Sequence, residues 1–174
     1  MEIRESNTED HAAISRLHAA AFGEAEGPTI AKLAVDLLED PTARPLLSLV
    51  AEKDGGIVGH VIFSSVMVDA VAYPGGYIMA PLAVAPESHR QGAGSELVNR
   101  GLDILRERDA AFVLVLGDPK YYSRFGFAAG HALKPPHELP YPEAWMALEL
   151  KREVIADLAG TVRCADSLNA PEHW

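Results

Sequence analysis

The stretch from Tyr77 to Leu102 reads YIMAPLAVAPESHRQGAGSELVNRGL: an apolar, strand-like run, then a Gly-x-Gly turn at Gly92 and Gly94, then a segment with helical spacing. Leu97, Val98, Leu102 and Leu105 fall on one face of that helix. A helix N-terminus carries unpaired amides and about half a positive charge, so a glycine turn there lets an anion approach the backbone closely. The same glycines equally suit a plain chain reversal. A P-loop would need Gly-Lys-Ser/Thr where Gly94 is followed by Ser95 and Glu96, and a dinucleotide fingerprint would need a third glycine where Leu97 stands. Neither motif fits.

Downstream, AAFVLVLGD (Ala110–Asp118) is a continuous apolar run suited to a strand buried on both faces. Strand, helix, strand in this span predicts a crossover with a parallel pair. Upstream, LLSLVAEKDGGIVGHVIFSSVMV (Leu46–Val68) is two Val- and Ile-rich runs joined by Asp54-Gly55-Gly56, a hairpin signal because these residues accept positive φ. AYPGG (Ala72–Gly76) predicts the next turn, giving three antiparallel strands in a meander.

Before them, MEIRES supplies an opening strand, and Ser6 and Glu9 have capping-box spacing for a helix burying Ile14, Leu17, Ala21 and Phe22. FGEAEG breaks that helix. Gly27 and Pro28 predict a second start, with Ile30, Leu33 and Leu37 as its apolar stripe, ending before Pro41. After the core crossover come a short helix around Lys120–Arg124, the Gly126-Phe127 pair, a Pro-rich loop from His131 to Pro142 and a strand, AWMALEL. Residues 151–174 are expected to add a helical turn and a short edge strand, then an irregular tail.

With 174 residues, 48% of them hydrophobic, the chain suits a single domain spanning 1–174, with its core at about 3–150 and a C-terminal extension at 151–174. A formal charge of −10 disfavours nucleic acid and anionic membrane surfaces as partners. No basic start precedes an apolar run and no membrane-length apolar stretch occurs, so a cytoplasmic protein is expected. Cys164, the only cysteine, excludes an intrachain disulfide. No His, Asp or Glu set has metal-ligand spacing, and no metal is expected.

LAVAPESHRQGAGSELVNRGLDIL followed by VLVLGDPKYYSRFGF resembles the GNAT superfamily of acyl-CoA-dependent N-acyltransferases. The specific parts are Leu82, Val84 and Pro86 at the strand end, the glycine turn, and the Tyr122, Gly126, Phe127 ending. GHVIFSSV (Gly59–Val66) and GDPKYYSRFGF (Gly117–Phe127) are most similar to the YhbS-like bacterial subgroup. The resemblance implies an α/β (α+β) fold: a mixed, mostly antiparallel central sheet with a splayed parallel strand pair and helices on both faces. It implies acetyl-CoA as cosubstrate and an amine as acceptor, with a homodimer left open.

The resemblance also implies roles for residues. The backbone of Leu82, Ala83 and Val84 would meet the pantetheine arm, and the segment His89, Arg90, Gln91, Gly92, Ala93, Gly94 and Ser95 would meet the pyrophosphate. His89 stands where the family usually has Gln or Arg, which leaves Arg90 to supply positive charge. Tyr122 would protonate the departing thiolate, while Tyr121 is expected to pack. MAPLAVAP contains no acid, so the base must lie elsewhere. Glu24 and Glu26 could line an acceptor site, whereas His60 and His131 are expected to be structural or exposed. The alternative to catalysis is a non-catalytic acyl-CoA-binding or regulatory module with the same fold.

Overall fold

The computed structural model describes all residues, Met1–Trp174. Its strands are β1 (Glu2–Glu5), β2 (Leu46–Lys53), β3 (Gly56–Val68), β4 (Val71–Val84), β5 (Phe112–Leu116), β6 (Ala132–Lys134), β7 (Trp145–Glu149) and β8 (Ala159–Arg163). The main path of the sheet runs β1-β2-β3-β4-β5-β7, with β8 beside the far end of β3 and β6 beside β8. Within that path only β4 and β5 are parallel; the other neighbours are antiparallel. The helices are α1 (His11–Glu39), α2 (Ala93–Glu107) and the short α3 (Pro119–Tyr122) and α4 (Asp166–Asn169).

Strand alternation divides the core into two layers. On β5, Phe112 and Leu114 face the α1 side with Ile14, Leu33 and Leu37. Val113 and Val115 face Leu97, Val98, Leu102 and Leu105 of α2. A strand between two helical layers must be apolar at every position, which is why its sequence shows no polar alternation.

Four local readings need correction. The N-terminal cap is Asn7 with Asp10, not Ser6 with Glu9, and it opens a short 3-10 turn before α1. Ser6 is occupied instead by Ser48, at 2.6 Å between hydroxyls. The break in α1 falls at Gly23 (φ 74), with helix resuming at once rather than at Gly27. Residues eight apart in a straight helix are separated by about 12 Å along its axis. A Cβ on Gly27 would nevertheless strike the Ala19 carbonyl, so the two limbs of α1 bend sharply against each other.

The turn between β3 and β4 lies at Asp69-Ala70, both at positive φ, not at Ala72–Gly76. The backbone of Asp69 and Thr161 from β8 fixes it: Asp69 N–H donates to the Thr161 carbonyl at 2.8 Å. The Pro-Gly-Gly run stays in β4 and serves close approach instead. Ala111 N–H donates to the Gly75 carbonyl at 2.7 Å, and a Cβ on Gly76 would meet the Phe112 ring at 2.7 Å. Finally, the region from His131 to Pro142 contains β6. After the expected helical turn (Ile155–Asp157) and edge strand β8, the tail is not irregular but carries α4 and a 3-10 turn (Pro171–His173).

Candidate active site

The β4–β5 pairing covers only Gly76↔Phe112, Tyr77↔Val113 and Ile78↔Leu114, although β4 continues to Val84. The cause lies on the other edge of β4. Val61 pairs with Leu82 while Phe63 pairs with Met79, so three steps of β4 oppose two of β3. This bulge at Ala80-Pro81 bends β4 away from β5, and Pro81 has no N–H to lose from the ladder. The splay leaves a cavity of about 680 Å³, walled by Met79–Leu82 on one side and by Leu116 and Tyr122 on the other.

Backbone direction separates the three strand-end residues. Ala85 N–H donates to the Val58 carbonyl, and the register is unbroken from there through His60↔Ala83. Alternation therefore turns Ala83 toward β3, and Leu82 and Val84 away from it, onto the free edge. His89 lies at that edge too: its Nε2 donates to the Val84 carbonyl at 3.0 Å, so its side chain caps the strand rather than reaching the turn.

At the turn, Arg90 (φ 64) and Gly92 (φ 87) are left-handed, and Gly92 is the N-cap of α2 without any side chain to cap it. Glu96 N–H is bonded to the Gly92 carbonyl. The amides of Ala93, Gly94 and Ser95, one turn earlier, have no acceptor inside the helix. Gly94 is required by contact: a Cβ there would lie 2.7 Å from the Tyr121 hydroxyl. The Gln91 side chain is held by Lys53 Nζ at 2.8 Å and by the Glu87 carbonyl at 3.3 Å, so Lys53 stands beside the turn. Arg124 donates to Ser95 Oγ at 3.2 Å and lies over the Tyr121 ring at 4.3 Å. Lys53 and Arg124 carried no sequence signal, because folding alone brings them to the turn from 38 and 29 residues away.

Tyr122 lines the same cavity, edge-on to Tyr121 at 4.9 Å and to Phe127 at 6.0 Å. A side chain on Gly117 would strike its ring. Burial, and secondarily Tyr121, pushes its phenol up to about 12, so it holds its proton at neutral pH. Glu26 lines the cavity and Glu24 does not. Glu172, His173 and Trp174 also line it, a contribution from the tail that periodicity could not show.

The two other candidate histidines have structural partners. His60 is fully buried between Ser48 and His18. His131 donates to the Trp145 carbonyl at 3.1 Å and accepts from Leu133 N–H.

Residues 2–130 match the acetyltransferase (GNAT) domain family. Across 163 residues, the chain is 36% identical to the uncharacterized N-acetyltransferase YjhQ of Escherichia coli K12, covering 90% of this chain and 88% of that protein. Over 114 residues it is 46% identical to the uncharacterized N-acetyltransferase YhbS of the same strain, covering 63% of this chain and 65% of YhbS. The crystal structure of Escherichia coli YhbS in complex with CoA superposes with a TM-score of 0.88 at 34% identity, covering 97% of this chain and 92% of that one. A GNAT family acetyltransferase from Brucella melitensis in complex with acetyl-CoA gives 0.76 at 29% identity, covering 96% and 97%. The splayed strands and the glycine-started helix thus coincide with sequence kinship over most of the chain, which belongs to the GNAT family of acyl-CoA-dependent N-acetyltransferases.

Proposed function

We propose that this chain transfers an acetyl group from acetyl-CoA to a primary amine by direct attack on the thioester. The observation that carries this reading is a cavity walled by the free β4 edge and Tyr122, with the uncapped α2 N-terminus following the end of β4 and Gly94 packed against neighbouring Tyr121. The bound CoA and acetyl-CoA of the Escherichia coli and Brucella melitensis relatives support it.

In this reading Leu82 and Val84 hydrogen-bond the pantetheine amides much as an added strand would. Ala83 is instead buried with Leu17 and Ala85. The diphosphate sits on the amides from Gln91 to Ser95, with Arg90, Lys53 and Arg124 offsetting its charge. His89 orders the Val84 carbonyl rather than the phosphate. This local cationic group matters in a chain whose formal charge is −10.

The amine nitrogen bonds to the carbonyl carbon, and the Leu82 N–H stabilises the charge that develops on oxygen. The carbon–sulfur bond then breaks. Sulfur leaves with the Tyr122 proton, and the proton shed by nitrogen restores the phenol, so charge and protons balance. As a user of acetyl-CoA the enzyme is expected in the cytoplasm.

Calorimetry with CoA tests the binding half. Bound CoA at one hundred times its dissociation constant stabilises the fold by about 2.7 kcal/mol. Thioester consumption with amines tests the transfer half. No binding at millimolar CoA overturns the whole reading; binding without turnover on any amine leaves only the non-catalytic module.

A further inference from the structure

The cavity has a composition that selects its occupant. Twelve of its seventeen lining residues are hydrophobic, and none is Lys or Arg. Its only ionisable side chains are Glu26, Glu172, His173 and Tyr122. We propose that the acceptor is a small primary amine with an aromatic or aliphatic body and no anionic group, seated between the second limb of α1 and the C-terminal turn. This rests on the acetyl-transfer reading above and names the substrate class it leaves open.

Charge excludes an anionic acceptor. A carboxylate or phosphate in this space would face the exposed carboxylates of Glu26 and Glu172 with no lysine or arginine in the lining, whereas an ammonium is attracted to both. The apolar walls of Phe22, Ile30 and Leu168 exclude a polyamine of matching length, because a second ammonium would lose its water against hydrocarbon. The cavity volume falls in the range of about 300–1,000 Å³ found for small-molecule sites.

The aromatic wall is held in place. Trp174 donates its indole N–H to the Leu168 carbonyl at 2.9 Å and packs edge-on against Trp145 at 5.5 Å. Trp145 in turn is buried, its indole N–H on the Leu133 carbonyl at 2.9 Å. A flat or branched apolar body therefore meets a surface that is already ordered, with little entropy left to lose. His173 lies with its Nε2 3.8 Å from Glu172, and burial lowers its pKa. Lys32 and Asp36, which also act on His173 from outside the cavity, pair with each other, and Lys32 lies near Glu172 as well. A neutral imidazole there does not repel the incoming ammonium and can accept its proton.

Matched probes test the class. 2-Phenylethylamine, phenylalanine (the same skeleton plus a carboxylate) and spermidine are compared on CoA-saturated protein by saturation-transfer NMR, which needs no turnover, and with acetyl-CoA by CoA release. 2-Phenylethylamine is expected to exceed both others at least tenfold in affinity and in kcat/KM. In Glu172→Gln the KM for 2-phenylethylamine rises about tenfold while the KM for acetyl-CoA stays the same. Equal or better binding of phenylalanine or spermidine overturns the proposal even if one of them is acetylated. A protein that binds no CoA overturns the transferase reading instead, so the two failures are distinguishable.

Discussion

His18 Nε2 lies 2.8 Å from His60 Nδ1 with both rings fully buried, and the chain of contacts continues from His60 Nε2 to Ser48 Oγ at 2.8 Å and to Ser6 Oγ at 2.6 Å. The far end of this chain, His18 Nδ1, has no partner. A buried pair of imidazoles in direct contact can share a hydrogen bond only while one facing nitrogen carries a proton and the other is bare, so both rings cannot be charged together, and burial makes charging either one costly.

Stability should therefore fall in mild acid. Burial lowers His18 to about 4, and burial followed by His18 lowers His60 well below its ordinary value. The unfolded chain binds these protons near pH 6.5 and the folded chain does not, so this stability is complete above pH 6.5 and is lost as pH falls toward 4. For His18 alone the loss is on the order of 3 kcal/mol. Burial lowers His131 and His173 as well, which adds in the same direction. Asp10 and Asp40 are lowered carboxylates and act only in stronger acid. Urea midpoints at pH 7.5, 6 and 5 check this, and a flat profile across them would refute it.

The glycine turn should be intolerant at two positions for different reasons. Gly92→Asp places a side chain at φ 87 and a negative charge at the anion site. Gly94→Ala puts a methyl 2.7 Å from the Tyr121 hydroxyl, which must move together with Arg124 above it. CoA affinity is expected to drop at least tenfold in each, with the circular dichroism spectrum unchanged. Parent-like affinity in both would reduce the turn to a structural one.

Tyr122→Phe keeps the ring against Gly117 and deletes only the acid. Turnover should fall roughly 10²-fold with CoA affinity unchanged. Gly117→Ala is the contrasting case, since its methyl would strike the same ring and should disturb both quantities. Rates and CoA affinities measured on the same preparations decide it; full turnover in Tyr122→Phe removes the phenol from the mechanism.

Asp40 ties the end of α1 to α4. It accepts from Thr42 N–H at 2.8 Å and Oγ1 at 2.6 Å, and from Ser167 N–H at 3.0 Å and Oγ at 2.7 Å. Burial alone would raise its carboxyl, but these bonds outweigh burial and bring it down to about 2. The tie is complete above the ordinary carboxylate pKa and is lost only as pH falls toward 2. Asp40→Ala should cost about 2 kcal/mol in a urea titration. Because α4 leads to Trp174, amine binding should weaken more than CoA binding, and equal weakening of both would contradict this coupling.

The readings made from sequence alone succeeded where the physics is local. The Asp54-Gly55 hairpin needs only two residues at positive φ, the α2 stripe only a helical period, and β5 only an unbroken apolar run. The Gly92 turn was visible as a turn for the same reason, and kinship of the surrounding motifs pointed to its chemistry. Tertiary structure decided everything that depends on distant partners. Pro74-Gly75-Gly76 carries turn chemistry, yet Ala111 and Phe112 use those glycines for close approach and the chain reverses at Asp69-Ala70 instead. The bulge at Ala80-Pro81 depends on β3 register, and the placement of Arg124 on Ser95 depends on α3 packing. The end of the tail reads as irregular because its order comes from Trp145, Asp40 and Thr42, more than twenty residues away in the chain, and a sequence period records only neighbours.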